Sequence, residues 1–208
     1  MDKKINNNGY DYVVLGLPSG TLWATCNVGA DKPSDYGLYF QWGDIEGYDK
    51  DEVGFEEEAK KGFTWKDYKF NPSGDGETFT KYTAICEVLN LNDDAAHVNM
   101  GGSWHMPRDW QIQELLDNTT KELTMLNGIN GIKFFSKKDS TKFIFIPMAG
   151  FAWGHSIIQS GSRVDIWSST GSAYNFHGAQ VLEFNLEDVT LWDYNFRDCG
   201  HSIRGVIG

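Results

Sequence analysis

Cys199-Gly200-His201 sets a thiol and an imidazole two residues apart, on one face if the segment is a strand. Such a pair could supply a nucleophile, because a neighbouring imidazolium lowers a thiol pKa. Pairs this close along a chain rarely reach that geometry, and no orienting acid or oxyanion donor is evident beside this one. The remaining candidates are scattered. His97, His105, His155, His177 and His201 have no metal-ligand spacing with one another or with Cys26, Cys86 and Cys199. The acidic run Asp44, Glu46, Asp49, Asp51, Glu52, Glu56, Glu57 and Glu58 lacks the alternating spacing of a calcium loop and reads as solvated surface. G-x-S-x-G, H-E-x-x-H, Walker A and strand-to-helix G-x-G-x-x-G patterns are absent. The expectation is a protein with no catalytic residues, no metal and no cofactor.

Charge narrows the partners. The 208 residues carry 29 acidic against 18 basic side chains, a net charge of −11, so no basic surplus is present to neutralise phosphates. Nucleic acid is thereby disfavoured as a partner. No apolar run approaches the length of a membrane span, so membrane insertion is not expected. Met1 to Asn8 is polar and shows no apolar core of a secretion signal.

The elements that must position any site follow from patterning. Twenty-three glycines beside eight Trp, nine Tyr and thirteen Phe predict many turns joining short strands and irregular loops. Residues 1–10 read as a frayed start, and residues 11–208 as a single domain without internal repeat or linker. Tyr12–Leu15 and Thr21–Thr25 flank the turn Pro18-Ser19-Gly20 as a strand pair, and Gly37–Trp42 reads as another strand. Residues 44–80, acidic and then rich in turn formers, read as a long insertion over the surface. Helices are expected over Asp93–Val98 and from near Pro107 to Asn118. Strands return at Gly131–Phe135, Lys142–Pro147, Asp165–Ser169, Ala179–Leu186, Val189–Phe196 and Ser202–Ile207. The class is α+β.

The segment from Asn175 to His201 is the most informative. At period two, Trp192, Tyr194 and Phe196 share one strand face, and Asp193, Asn195 and Arg197 the other. A row of large rings is most simply core. The surrounding mixture of aromatic side chains with Asn, Asp and His is equally that of a binding surface. Pattern alone leaves both open.

Leu15-Gly16-Leu17-Pro18-Ser19-Gly20-Thr21-Leu22-Trp23-Ala24-Thr25-Cys26-Asn27-Val28-Gly29-Ala30 resembles the opening motif of the Fibrobacter succinogenes major paralogous domain family. Gly37–Gly43, Asp93–Ala96 with Gly101–Pro107, Pro147–Gly150, Trp167–Thr170 and Ser202–Val206 continue the resemblance in order, over residues 11–207. It implies a C-type-lectin-like fold, with short antiparallel strands, two helices and long irregular loops. Some members resemble variable proteins of diversity-generating retroelements, in which adenine-directed errors rewrite the 3′ end of the gene and the altered residues crowd a ligand-binding face. Residues 153–201 would be that region here. The implied binding residues are Tyr174, Asn175, Phe176, His177, Gln180, Asn185, Trp192, Asp193, Tyr194, Asn195, Phe196, Asp198, Cys199 and His201, bordered by Trp153, His155, Ser156 and Arg163. On that basis exposure becomes the favoured expectation for Trp192.

The departures from the family pattern are His105 for Arg, Arg108 for Thr and Gly205 for Pro, and because Arg is a poor cap the helix start is expected to shift to Asp109. The calcium-dependent sugar motifs Glu-Pro-Asn and Trp-Asn-Asp are absent. The resemblance thus implies a non-enzymatic binding protein whose partner is a protein or glycan on a cell surface. Its implied place is a virion or a bacterial cell surface, and a homo-oligomer could multiply weak sites through avidity. Two alternatives stand beside it: a non-variable secreted adhesive module, and an enzyme of the formylglycine-generating type with a reactive thiol at Cys199.

Overall fold

A computed structural model describes residues 6–55, 60–185 and 189–208. The side chains of Asn6, Asn185 and residues 189–194 lie outside that description. Glu56, Glu57 and Glu58 of the acidic run fall among the undescribed residues.

The chain is α+β, with small, mostly antiparallel sheets and two α-helices among the described residues. Strands β1 (Asn6–Asn7), β2 (Tyr10–Val13) and β3 (Leu22–Asn27) form one sheet, completed by the C-terminal strand β12 (Arg204–Ile207) beside β3. The chain ends are thereby joined through Arg204↔Asn27 and Val206↔Trp23. A second sheet contains β4 (Thr119–Leu126), β5 (Ile129–Ser136) and β6 (Phe143–Pro147), and a short hairpin pairs β7 (Phe151–Trp153) with β8 (Ser156–Ile158). The third sheet runs β11-β10-β9, with β9 at Arg163–Gly171, β10 at Gly178–Asn185 and β11 at Val189–Phe196.

Alternation along β9 and β10 divides the interior. Val164, Ile166, Leu182 and Phe184 join one apolar cluster with Trp23, Ile112, Leu115 and Ile144. Their neighbours Trp167, Ala179 and Val181 join another with Trp42, Tyr68, Trp104 and Ile203. Period two therefore sends successive residues into two cores, so this sheet is covered on both faces.

The helices start and stop on identifiable residues. Helix α1 (Ala95–Met100) is capped by Asp94, whose Oδ1 accepts from His97 N at 2.9 Å. Gly101, at φ 67°, ends it in a backbone conformation that favours glycine. Helix α2 (Asp109–Asn118) has Arg108 at its cap position, and the Gln111 Oε1 accepts from Arg108 N at 3.0 Å instead. The helix does start at Asp109, but with Arg108 itself as the cap residue, whose side chain makes no capping hydrogen bond.

Several expectations are corrected. Residues 6–10 are not frayed: Asn7 pairs with Tyr10, and the Trp104 indole donates to Asn7 O at 2.9 Å. Gly37–Trp42 is not a strand of a sheet; it is extended chain held by single bridges from Tyr39 to Tyr48 and Phe40 to His201. Nor is 44–80 a loop lying over the surface, because it plants Val53, Phe63, Tyr68 and Phe70 in the core. Apolar burial decided that stretch over its acidic composition. Strands β4, β7 and β8 had no counterpart in the sequence reading.

Candidate functional site

The stretch 197–202 is threaded through the protein. Trp42 N donates to Arg197 O, Phe40 and His201 exchange both backbone bonds, and Ala152 and Gly200 do likewise, all between 2.7 and 3.0 Å. A Cβ at Gly200 would stand 2.3 Å from the Phe63 ring, so the chain passes there only as glycine. Arg197 is fully buried and anchors this passage. Its Nε donates to Gly178 O at 3.1 Å and Nη1 to Tyr82 O at 2.6 Å, with the guanidinium 4.4 Å from the Trp42 ring centroid.

This threading divides the expected binding residues. His201 has no exposed surface, Cys199 is 3% exposed, Asp198 5% and Gln180 9%. His201 is therefore corrected from the centre of a contact face to a core position, its ring edge-on to Trp167 at 4.1 Å and neither ring nitrogen hydrogen-bonded among the described residues. Burial holds its pKa well below the usual histidine value. Burial also pushes the Cys199 thiol up, with Asp198 and Asp165 adding to the effect. A protonated thiol beside a neutral imidazole is the reverse of an activated pair. Gln180 lines a separate depression beside α2, away from the other candidates.

Most of the described candidates gather at the end of the β9–β10–β11 sheet that carries Gly171, Gly178 and Phe196. Trp153, Asn195, Phe196, Asp198 and Cys199 line an open cleft of about 420 Å³ with Trp65 and Phe151. Trp153 is 60% and Phe196 47% exposed. The Trp65 ring meets Phe196 at 6.2 Å and Phe79 at 5.5 Å, and Phe79 meets Phe176 at 5.7 Å. Phe176 and the half-buried His177 lie 4.3 Å apart, and Tyr174 beside them is 77% exposed. Ser172 Oγ accepts from Tyr174 N and Asn175 N, and Asn175 Oδ1 from His177 N, so local side-chain bonds shape this loop. The result is a run of touching rings, Phe196 to Trp65 to Phe79 to Phe176, with Trp153 lining the cleft at one end and Tyr174 on the loop at the other.

The expected border is less uniform. His155 stacks on the exposed Phe55 at 4.0 Å and its Nδ1 donates to Gly54 O, while Ser156 is exposed on β8. Arg163 is committed instead: Nε and Nη2 donate to the Asp165 carboxylate at 2.8 Å each, and Nη2 to Glu183 at 2.7 Å. Desolvation outweighs that partner and leaves Asp165 raised to about 6.

The side chains of Asn185, Trp192, Asp193 and Tyr194 lie outside the described residues, and the expectation of exposure for Trp192 lies there with them. Trp192 pairs with Val181 and Asn195 with Ala179, which sets Asp193 and Tyr194 against the single residue Gln180. The register therefore shifts by one residue opposite Gln180.

Sequence reading missed Trp65, Phe79, Phe55 and Phe151. The available signal was the density of rings inside the acidic stretch, at Phe55, Phe63, Trp65, Tyr68, Phe70 and Phe79, which a merely solvated loop would not carry. Comparison with protein-family models, curated proteins and solved structures returned no match. No helix among the described residues is long and apolar enough to cross a membrane.

Proposed function

We propose that this protein is a ligand-binding protein of C-type-lectin-like fold, in the manner of the Fibrobacter succinogenes major paralogous domain. Its C-terminal face recognises a protein or glycan on a cell surface. The observation that carries this reading is the band from Trp153 through Phe196, Trp65, Phe79 and Phe176 to Tyr174, mounted on buried anchors. Trp153, Phe196 and Tyr174 are exposed and the partly buried Trp65, Phe79 and Phe176 hold them from beneath; rings on a rigid scaffold offer contact area at little entropic cost, and the adjoining Asn175, His177 and Asn195 supply adaptable hydrogen bonds. Tyr174, Asn175, Phe176, His177, Asn195 and Phe196 are the positions at which diversification by a retroelement would change the ligand without disturbing Arg197 or the core.

The test is binding of the labelled full chain to a glycan array and to a library of displayed bacterial surface proteins. The double variant Tyr174→Ala, Phe196→Ala should lose at least about tenfold in affinity for whatever the wild type retains, with its melting transition kept. Unchanged binding, or collapse of the melting transition, contradicts the reading.

A second reading is a non-diversified adhesive module on the same scaffold. The burial of Gln180, Asp198, Cys199 and His201, all positions expected to vary, favours it.

A further inference from the structure

The cleft between Trp153 and Phe196 combines four rings with one carboxyl group. Trp65, Phe151, Trp153 and Phe196 line it, and Asp198 lines the same cavity. Asp198 is 5% exposed and, among the described residues, has no ion pair. Its backbone carbonyl is occupied by the Gln41 amide at 2.9 Å, which fixes the residue without touching the carboxyl charge. Nearby cations are already engaged. Arg163, stacked 4.8 Å from the Phe151 centroid, is bound to Asp165 and Glu183, and Lys61 lies over Tyr48 and donates to Asp67 O.

A buried carboxyl without a counter-charge, walled by aromatic rings, is complementary to an organic cation. The rings attract the cation through their quadrupoles, and the carboxylate supplies the charge that water would otherwise provide. Burial, reinforced by the neighbouring Asp67, raises the Asp198 carboxyl to about 7, so an arriving cation also restores its ionised form. The surface as a whole favours such an approach, since the chain carries a net charge of −11.

We infer that this cleft is a cation-binding subsite of the proposed binding face, and that its occupant is a lysine side chain of a protein ligand, with the ammonium group at Asp198 and the alkyl stem between Trp153 and Phe196. This inference rests on the binding-protein reading and specifies the ligand chemistry of that face.

The test is a titration of the full chain at pH 8 with n-butylammonium chloride, following the tryptophan indole N–H signals by NMR at constant ionic strength. 1-Butanol serves as the uncharged probe of equal length. Butylammonium should shift the Trp65 and Trp153 signals saturably, with butanol weaker by about tenfold. Asp198→Asn should erase that preference, and Trp153→Ala should remove most of the binding. Equal binding of the two probes, or no movement of either indole up to about 100 mM butylammonium, overturns the inference. The array experiment separates the two levels. Loss of ligand in the Tyr174→Ala, Phe196→Ala variant with an unresponsive cleft sinks only the cation, whereas a responsive cleft with unchanged array binding sinks the larger reading.

Discussion

Replacing Arg197 by Met should lower stability by about 3 kcal/mol, because this one buried guanidinium ties the end of β11 to the core. The substitution removes two charge-assisted hydrogen bonds, to Gly178 O and Tyr82 O, and the stacking on Trp42. The gross loss is on the order of 5–8 kcal/mol, taking ~1.5–3 for each bond and ~2 for the stacked cation. Against it stands the desolvation of the guanidinium, several kcal/mol that the Met variant no longer bears, and which is aggravated here because Nη2 has no hydrogen-bond partner among the described residues. Gly178 O keeps a second donor in Ser172 N at 3.1 Å, so Tyr82 O is the acceptor left most exposed to loss. Urea denaturation followed by tryptophan fluorescence reads the difference. At an m-value of about 2 kcal/mol/M the midpoint should fall by ~1.5 M. A midpoint equal to or above the wild type would refute the reasoning, since the burial cost would then outweigh the anchoring bonds.

Trp153→Ala should change stability by no more than about 0.5 kcal/mol, because the ring is largely exposed, and a thermal melt checks it. Asp198 has a folded pKa raised to about 7, so the folded state binds its proton more tightly than the unfolded chain. The stability of wild type relative to Asp198→Asn should therefore fall as pH rises from about 4 to 7 and level off above, as pH-dependent denaturation would show. His201 has the opposite sign: its folded pKa is depressed, so wild type should lose stability relative to His201→Leu as pH falls below about 6.5. Constant differences across these windows would contradict the two assignments.

How much of this was legible in the sequence depends on what each residue had to reveal. Short-range patterning placed β5 and β6, because Phe135 and Phe143 pair around a polar turn within a few residues. The α1 start was visible in its acidic opening, and the α2 start in Pro107 and Asp109. Long-range threading was not visible. Nothing local distinguishes His201, which is sealed by pairing with Phe40 across 161 positions of chain, from an exposed histidine on an edge strand. The bulge opposite Gln180 was equally hidden, since strand alternation assumes uninterrupted pairing. Trp65 and Phe79 were overlooked because net acidity was given more weight than ring content. The candidate site thus emerged half from the expected loop, at Tyr174, Phe176 and Phe196, and half from a stretch that had been read as solvent.

The central claim is that the exposed C-terminal residues form a diversified recognition face on a fixed framework. Deep sequencing of the 3′ end of this gene across its source population tests it most directly. The account predicts adenine-derived substitutions concentrated in codons 174–177, 195 and 196, with the codons of Arg197, Gly200, His201 and Arg204 unchanged. A uniform 3′ end, or substitutions spread evenly over the buried codons, would contradict it.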